Sequence, residues 1–392
     1  MKDGEAIAII ELSKSLVSNG CEVHLLAMNT TRHHASIQWP IPEPLKHYTS
    51  IQTVEVDNRI NTWDAFTNLF SSDSYHISRF VSIEFENKLV EILQAQEFDV
   101  IQLETLYLAP YLNKIRKYSN ALVAMRAHNI EHEIWERITA QIQFLPKKIY
   151  LDYLSRKLRK FEIGRLNDYD FLVAITDRDL NKFKSLGYKN GCISIPVGFT
   201  ANDYYTNRES FQHKPSLSFI GSLDWLPNVE GLQWFLKEAW PLIHKEYPDL
   251  QFYFAGRKAP EELNGIKLKG VHYAGEVSHA KDFINQHSIM VVPLFAGSGI
   301  RIKILEAMAL GRVVITSTIG MEGIPAIDKE HVLVANNPQE FLEAIGFCIK
   351  NPRKMLEISQ KAADFTKEQF DSHQIAGKVI DAYQDAIQQH NP

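Results

Sequence analysis

Cysteine is scarce in this chain: Cys21, Cys192 and Cys348 are the only three among 392 residues. They are too few and too scattered for a disulfide framework, and they lack the paired spacing of a thiolate metal site. A basic excess is missing as well. Residues 1–200 hold 23 basic against 24 acidic side chains, and residues 201–392 hold 19 against 23, so neither half carries the footprint of a nucleic-acid binder. No apolar run approaches the ~20 residues needed to span a bilayer. The opening Met1-Lys2-Asp3-Gly4-Glu5-Ala6 has no apolar core of the kind that marks a secretory signal. Together these absences lead us to expect a protein of the cytoplasm that binds neither DNA nor RNA. With 45% hydrophobic and 23% charged residues, the chain has apolar material enough for two cores at this length.

What is present is an alternation of apolar runs with amphipathic stretches. Residues 5–19 read as a helix ended by Asn19-Gly20, and a strand is expected at Glu22–Met28. Further strands are expected at Asp99–Leu103, Ala121–Met125, Phe171–Ala174 and Cys192–Ile195. Residues 29–75, with Pro40, Pro42 and Pro44, read as an irregular excursion. Pro196-Val197-Gly198 opens a loose stretch, so a first domain over 1–197 and a second over 198–371 are expected, with a last helix within 372–392 crossing back onto the first. In the second half, strands are expected at Leu217–Ile220, Gln251–Ala255, Val271–Tyr273, Ile289–Leu294 and Val313–Thr316. This alternation implies mostly parallel sheets covered on both faces, an α/β class.

The richest segment is 289–324, which reads as strand, glycine turn, helix and strand. Gly297 and Gly299 allow a sharp turn whose bare amides, at a helix start, favour an anion. Arg301 and Lys303 sit where the helix dipole disfavours cations, which an anionic partner would explain. Glu306 falls about 40° from Ile302 around the helix and borders the stripe of Ile302, Leu305 and Ala309. Gly221-Ser222, Gly256-Arg257 and Gly275-Glu276 end other strands of the same half, where open parallel sheets bind their ligands. The pattern suits a sugar joined to a phosphate.

The run from Gly299 to Gly311 (GIRIKILEAMALG) resembles the donor-site motif of retaining glycosyltransferase family 4, also called group 1. Phe219–Asn228, Ala255-Gly-Arg257, Gly275-Glu-Val277, Ile195-Pro-Val-Gly198 and Arg126–His132 extend the resemblance. It implies the GT-B fold, two Rossmann-like domains facing across a cleft, and a nucleotide-diphosphate sugar as donor without a metal or other cofactor. Glu306 matches the glutamate that holds the ribose. Its usual partner glutamate is replaced by Ser298. Ser298, Gly299 and Ile300 match the amides that approach the diphosphate, Val277 the loop that meets the base, and His128 the histidine beside the reacting sugar. Relatives place a cation where this chain has Gly221-Ser222, so Arg301, Lys303 and Arg257 are expected to supply it. Relatives also begin with an apolar strand and a loop ending Asp-Gly-Gly. Here Lys2-Asp3-Gly4-Glu5 stands instead, with Gly4 near the expected diphosphate and the first strand of the first sheet absent. Glu104 and Asn129 are acceptor-side candidates. A saccharide or lipid-linked saccharide is the expected acceptor, in cell-surface polysaccharide or glycolipid synthesis.

Other readings use the same residues. His128-Asn-Ile-Glu131-His132 fits the H-x-x-E-H zinc-peptidase pattern, which requires both histidines on one helical face. A nicotinamide dehydrogenase would need a third glycine that Gly297-Ser-Gly299 lacks. A GT-B relative that binds without transferring is compatible with Ser298 and the short start. Asp168-Tyr-Asp170 and Asp177-Arg-Asp179 imitate a metal-binding Asp-x-Asp but flank a buried strand, where capping is the ordinary use. Residues 147–162 are basic and amphipathic, suited either to packing through Ile149, Tyr153, Leu154 and Leu158 or to an anionic membrane face.

Overall fold

In the computed structural model the described residues are 4–31, 41–59, 68, 71, 73–198, 204, 206–296 and 300–390. The chain divides into two compact units. One comprises the residues up to Gly198 with those from Ser372 onward, and the other runs from 199 to 371.

Among the described residues the first unit carries six parallel strands in two pieces. β1 (His24–Thr30) pairs with β2 (Ser50–Val56), while β3 (Val100–Leu103), β4 (Leu122–Ala127), β5 (Phe171–Ala174) and β6 (Gly191–Ser194) form a sheet in that order. Among the described residues no ladder joins β1 to β3, although Leu26, Met28 and Val54 pack on the same apolar cluster as Leu103 and Val123. β2 corrects the expectation of irregular chain over 29–75. Ile51, Thr53 and Val54 are β-branched, and the alternation Ile51-Gln52-Thr53-Val54-Glu55-Val56 suits a half-buried strand. β4 and β5 are apolar throughout apart from Arg126 and are buried throughout, as parallel strands covered on both faces must be.

One face of this sheet is covered by the Ser372–His390 helix. Its Ile375, Ala376, Val379 and Tyr383 recur at helical spacing and pack on Leu122, Ala124, Phe171 and Val173. Gly198 is required at that junction, because a Cβ there would lie 2.7 Å from the Cα of Ser372.

Among the described residues the second unit has one six-stranded parallel sheet. Its strands are β7 (Ser216–Ile220), β8 (Gln251–Ala255), β9 (Val271–Tyr273), β10 (Ile289–Val292), β11 (Val313–Thr316) and β12 (Leu333–Val334), ordered β12-β11-β10-β7-β8-β9. The short β12 was not foreseen. β10 is completely buried, and so are Val313, Val314 and Ile315 of β11, which fixes the level of the helix Ile302–Ala309 between them.

Candidate functional site

Each unit gathers candidate residues at the carboxyl ends of its strands. In the first unit, Glu104 follows β3 and His128 follows β4. These strands are neighbours, with Leu103 opposite Met125, so their exits lie side by side. Glu104 Oε2 lies 2.9 Å from Nε2 of His128 and 3.3 Å from Nη1 of Arg126, and its Oε1 accepts from Gln102 Nε2 at 2.5 Å. Burial pushes this carboxyl up, but Arg126 and the His128 contact outweigh it and hold the group at about 2. An ionised Glu104 fixes the imidazole with its proton on Nε2. The chain of contacts continues outward, since Tyr383 donates from the C-terminal helix to Oε1 of Gln102 at 2.6 Å.

Behind His128 a second buried network supports the loop. The carboxylate of Glu162 accepts the backbone N–H groups of Glu131 and His132, both at 3.0 Å, and lies 2.6 Å from Nδ1 of His132. It therefore caps the start of the helix Glu131–Gln141 from a neighbouring helix, Leu145–Arg165. Glu131 accepts from the hydroxyl of Tyr107 at 2.9 Å. Burial, then the nearby Glu162 charge, raise Glu131 to about 8. The two histidines of the H-x-x-E-H pattern thus engage different carboxylates, His128 with Glu104 and His132 with Glu162, and do not share a helical face. Among the described residues no three His, Cys, Asp or Glu side chains are placed to hold a metal ion. A small cavity of about 20 Å³ is lined by Glu5, Glu104, His128, Asn129, Glu131 and Glu162 among others. Gly4, the residue before Glu5, begins the helix Gly4–Ser18. Asp170 of the Asp-x-Asp look-alike is bonded by Arg116 and by the N–H of Val123.

In the second unit, β7 and β8 end in glycines that the backbone requires. A Cβ on Gly256 would lie 2.0 Å from the carbonyl oxygen of Gly221, and one on Gly221 would lie 2.8 Å from Asn228 Nδ2 and 3.0 Å from Lys303 Nζ. The bare strand end therefore makes room for the ammonium of Lys303, which donates to Oδ1 of Asn228 at 2.5 Å and lies 4.7 Å from the centre of the Phe219 ring. Asn228 in turn donates to the carbonyl of Ser222, and Arg257 Nε donates to the Ser222 hydroxyl at 2.8 Å. Gly221, Ser222, Arg257 and Lys303 are brought together as one cluster, joined by Asn228, to which sequence reasoning had given no role. Burial and then the charge of Arg301 lower Lys303 to about 7. Among the described residues no carboxylate pairs with this partly buried cation.

Arg301 is the residue just before the helix Ile302–Ala309, buried, with its guanidinium 5.8 Å from the Trp225 ring centre. Ile300 packs on the apolar cluster beneath it. Glu306 accepts from the hydroxyl of Tyr204 at 3.1 Å. Ser298 and Gly299 lie outside the described residues. Val277 lines an open groove of about 790 Å³ with Ser216, Tyr253, Phe283 and His287.

Residues 214–351 match the family described as glycosyl transferases group 1. A Klebsiella pneumoniae protein described as an uncharacterized 44.6 kDa protein in the cps region is 26% identical over 312 residues, covering 76% of this chain and 78% of that protein. Among solved structures, sucrose-phosphate synthase from Thermosynechococcus elongatus superposes with a TM-score of 0.70 at 15% identity, over 99% of this chain and 94% of that one. Anabaena HepE in complex with UDP superposes at 0.66 and 13% identity, over 98% and 96%. The chain has the α/β fold of GT-B glycosyltransferases, and within it residues 214–351 are similar to the group 1 glycosyl transferases.

Proposed function

We propose that this protein is a retaining glycosyltransferase that moves a sugar from a nucleotide-diphosphate donor to a saccharide or lipid-linked saccharide. The observation that carries the reading is Lys303: a partly buried ammonium without a carboxylate partner among the described residues, at a strand end kept bare by Gly221 and Gly256. A diphosphate would supply the missing charge and return the lysine to its protonated form. Arg301 adds a second cation beside it, and Arg257 donates into the same cluster through Ser222. These cations, with the amides around residues 298–300, would stabilise the departing diphosphate electrostatically without calling for a metal. Glu306, at mid-helix, is suited to accept from ribose hydroxyls.

In the other unit His128, oriented by Glu104, would polarise or position the reacting sugar. The HepE structure contains UDP, which supports a nucleotide as ligand of this fold. The relative named for a cps region supports a role in cell-surface polysaccharide synthesis. The test is a turnover screen of nucleotide sugars with released diphosphate as the readout and acceptor lipids or saccharides supplied. Donor-dependent release that Lys303→Met abolishes is the expected result. The absence of release with every donor, by protein that still binds nucleotide, would favour a non-transferring relative.

A further inference from the structure

The basic amphipathic stretch expected at 147–162 divides in two in the structure. Leu154, Leu158 and Glu162 of the helix Leu145–Arg165 are buried in the first unit, so that stripe is core. Leu145, Ile149 and Tyr153, also four residues apart, form a different stripe that faces outward. Leu145 is 64% exposed and Ile149 63%, and Phe144, just before the helix, is 68% exposed. Ile138 on the preceding helix is exposed as well. Such large apolar groups gathered at one helix start are costly in water and mark an interaction surface.

The charge around them selects the partner. Between Ile138 and Ile149 the chain carries Lys147 and Lys148, both exposed, and no carboxylate. Farther along the same helix Lys160 is exposed, while Arg156 pairs with Asp152 at 2.7 Å and Arg159 with Glu136 at 3.6 Å, so these two carboxylates are already engaged. An apolar helix start that also carries two exposed lysines matches the layered chemistry of an anionic bilayer, acyl chains below and phosphates above. A protein partner would have to offer an acidic rim around an apolar pocket. A lipid surface offers both at any position.

We infer that Phe144, Leu145 and Ile149 insert into an anionic membrane surface while Lys147 and Lys148 meet its phosphates. The inference rests on exposure and charge alone, and so stands apart from the donor-site reading.

Vesicle sedimentation tests it with the whole chain, comparing phosphatidylglycerol–phosphatidylcholine vesicles with phosphatidylcholine alone. The wild type is expected to pellet with the anionic vesicles and to remain in the supernatant with the neutral ones. Phe144→Ser with Leu145→Ser, and separately Lys147→Glu with Lys148→Glu, are each expected to reduce the bound fraction by about 10-fold or more. All four positions are exposed, so the variants should melt with the wild type and keep its nucleotide binding. Wild type that stays in the supernatant, or variants that pellet as wild type does, would overturn the inference. So would a wild type that ignores vesicles but sediments as a dimer that Phe144→Ser dissociates, which would assign the patch to a second copy.

Discussion

The carboxylate of Glu104 lies 2.9 Å from Nε2 of His128, and the same carboxylate is held by Arg126 and Gln102. Two residues that end adjacent strands thus act as a unit. Glu104→Gln keeps the size of the side chain but leaves the buried Arg126 short of an anion and the imidazole without its orienting charge. We expect kcat to fall by about 10²-fold with donor KM little changed, since a small misplacement at the reacting centre has that order of cost. Steady-state kinetics with the identified donor check it.

The same carboxylate sets an acid limit. Its folded value of about 2 lies below the usual unfolded value near ~4.3, so its contribution to stability is present above the unfolded value and is lost as pH falls toward about 2. Urea titrations between those limits should show wild type losing more stability than Glu104→Gln.

Glu131 has the opposite sign. Raised to about 8, it favours folding below its unfolded value and withdraws that contribution as pH rises through about 8. Part of the shift comes from the Glu162 charge. Glu162→Gln should therefore narrow the pH range over which stability is lost through Glu131, so that less is lost and the loss ends at a lower pH. It should also cost about 1–3 kcal/mol at neutral pH, because one buried N–H loses its acceptor. Thermal melts across this range give both numbers.

At the second strand end, Gly221→Ala would press a methyl against Asn228 and Lys303, and both can yield because the nearest atoms are side-chain tips. A fold that survives, with weakened nucleotide binding, is expected. Gly256→Ala meets the backbone carbonyl of Gly221 and Gly231→Ala that of Pro293, so these should lose about 1–3 kcal/mol or more of stability. Melting temperatures and calorimetric titration separate the two classes.

Much of this was legible in the chain. Unbroken apolar runs such as Ile289–Val292 admit little but buried parallel strands, and the glycines after β7 and β8 announced strand ends with room beside them. β2 was missed because three prolines nearby outweighed the alternation from Ile51 to Val56. Pairings made across the fold were harder to read. Nothing local links Glu162 to the amides of residues 131 and 132, Tyr383 to Gln102 or Asn228 to Lys303, because each bond joins segments that only tertiary packing brings together. The Glu104–His128 contact was within reach, since adjacent parallel strands must present their exits side by side.

Lys303 also predicts a pH dependence of binding. Lowered to about 7, it carries its proton only below that value in the free protein, so diphosphate affinity should fall as pH rises beyond it. The role of Lys303 in holding the diphosphate can be measured by calorimetric titration of UDP and GDP into wild type, Lys303→Met and Glu306→Ala, repeated on either side of pH ~7. Wild type is expected to bind and to bind more weakly at the higher pH, both variants are expected to lose binding severely, and the Glu306→Ala protein is expected to melt as wild type does. Wild-type affinity in Lys303→Met, or no binding of either nucleotide to the wild type, would contradict it.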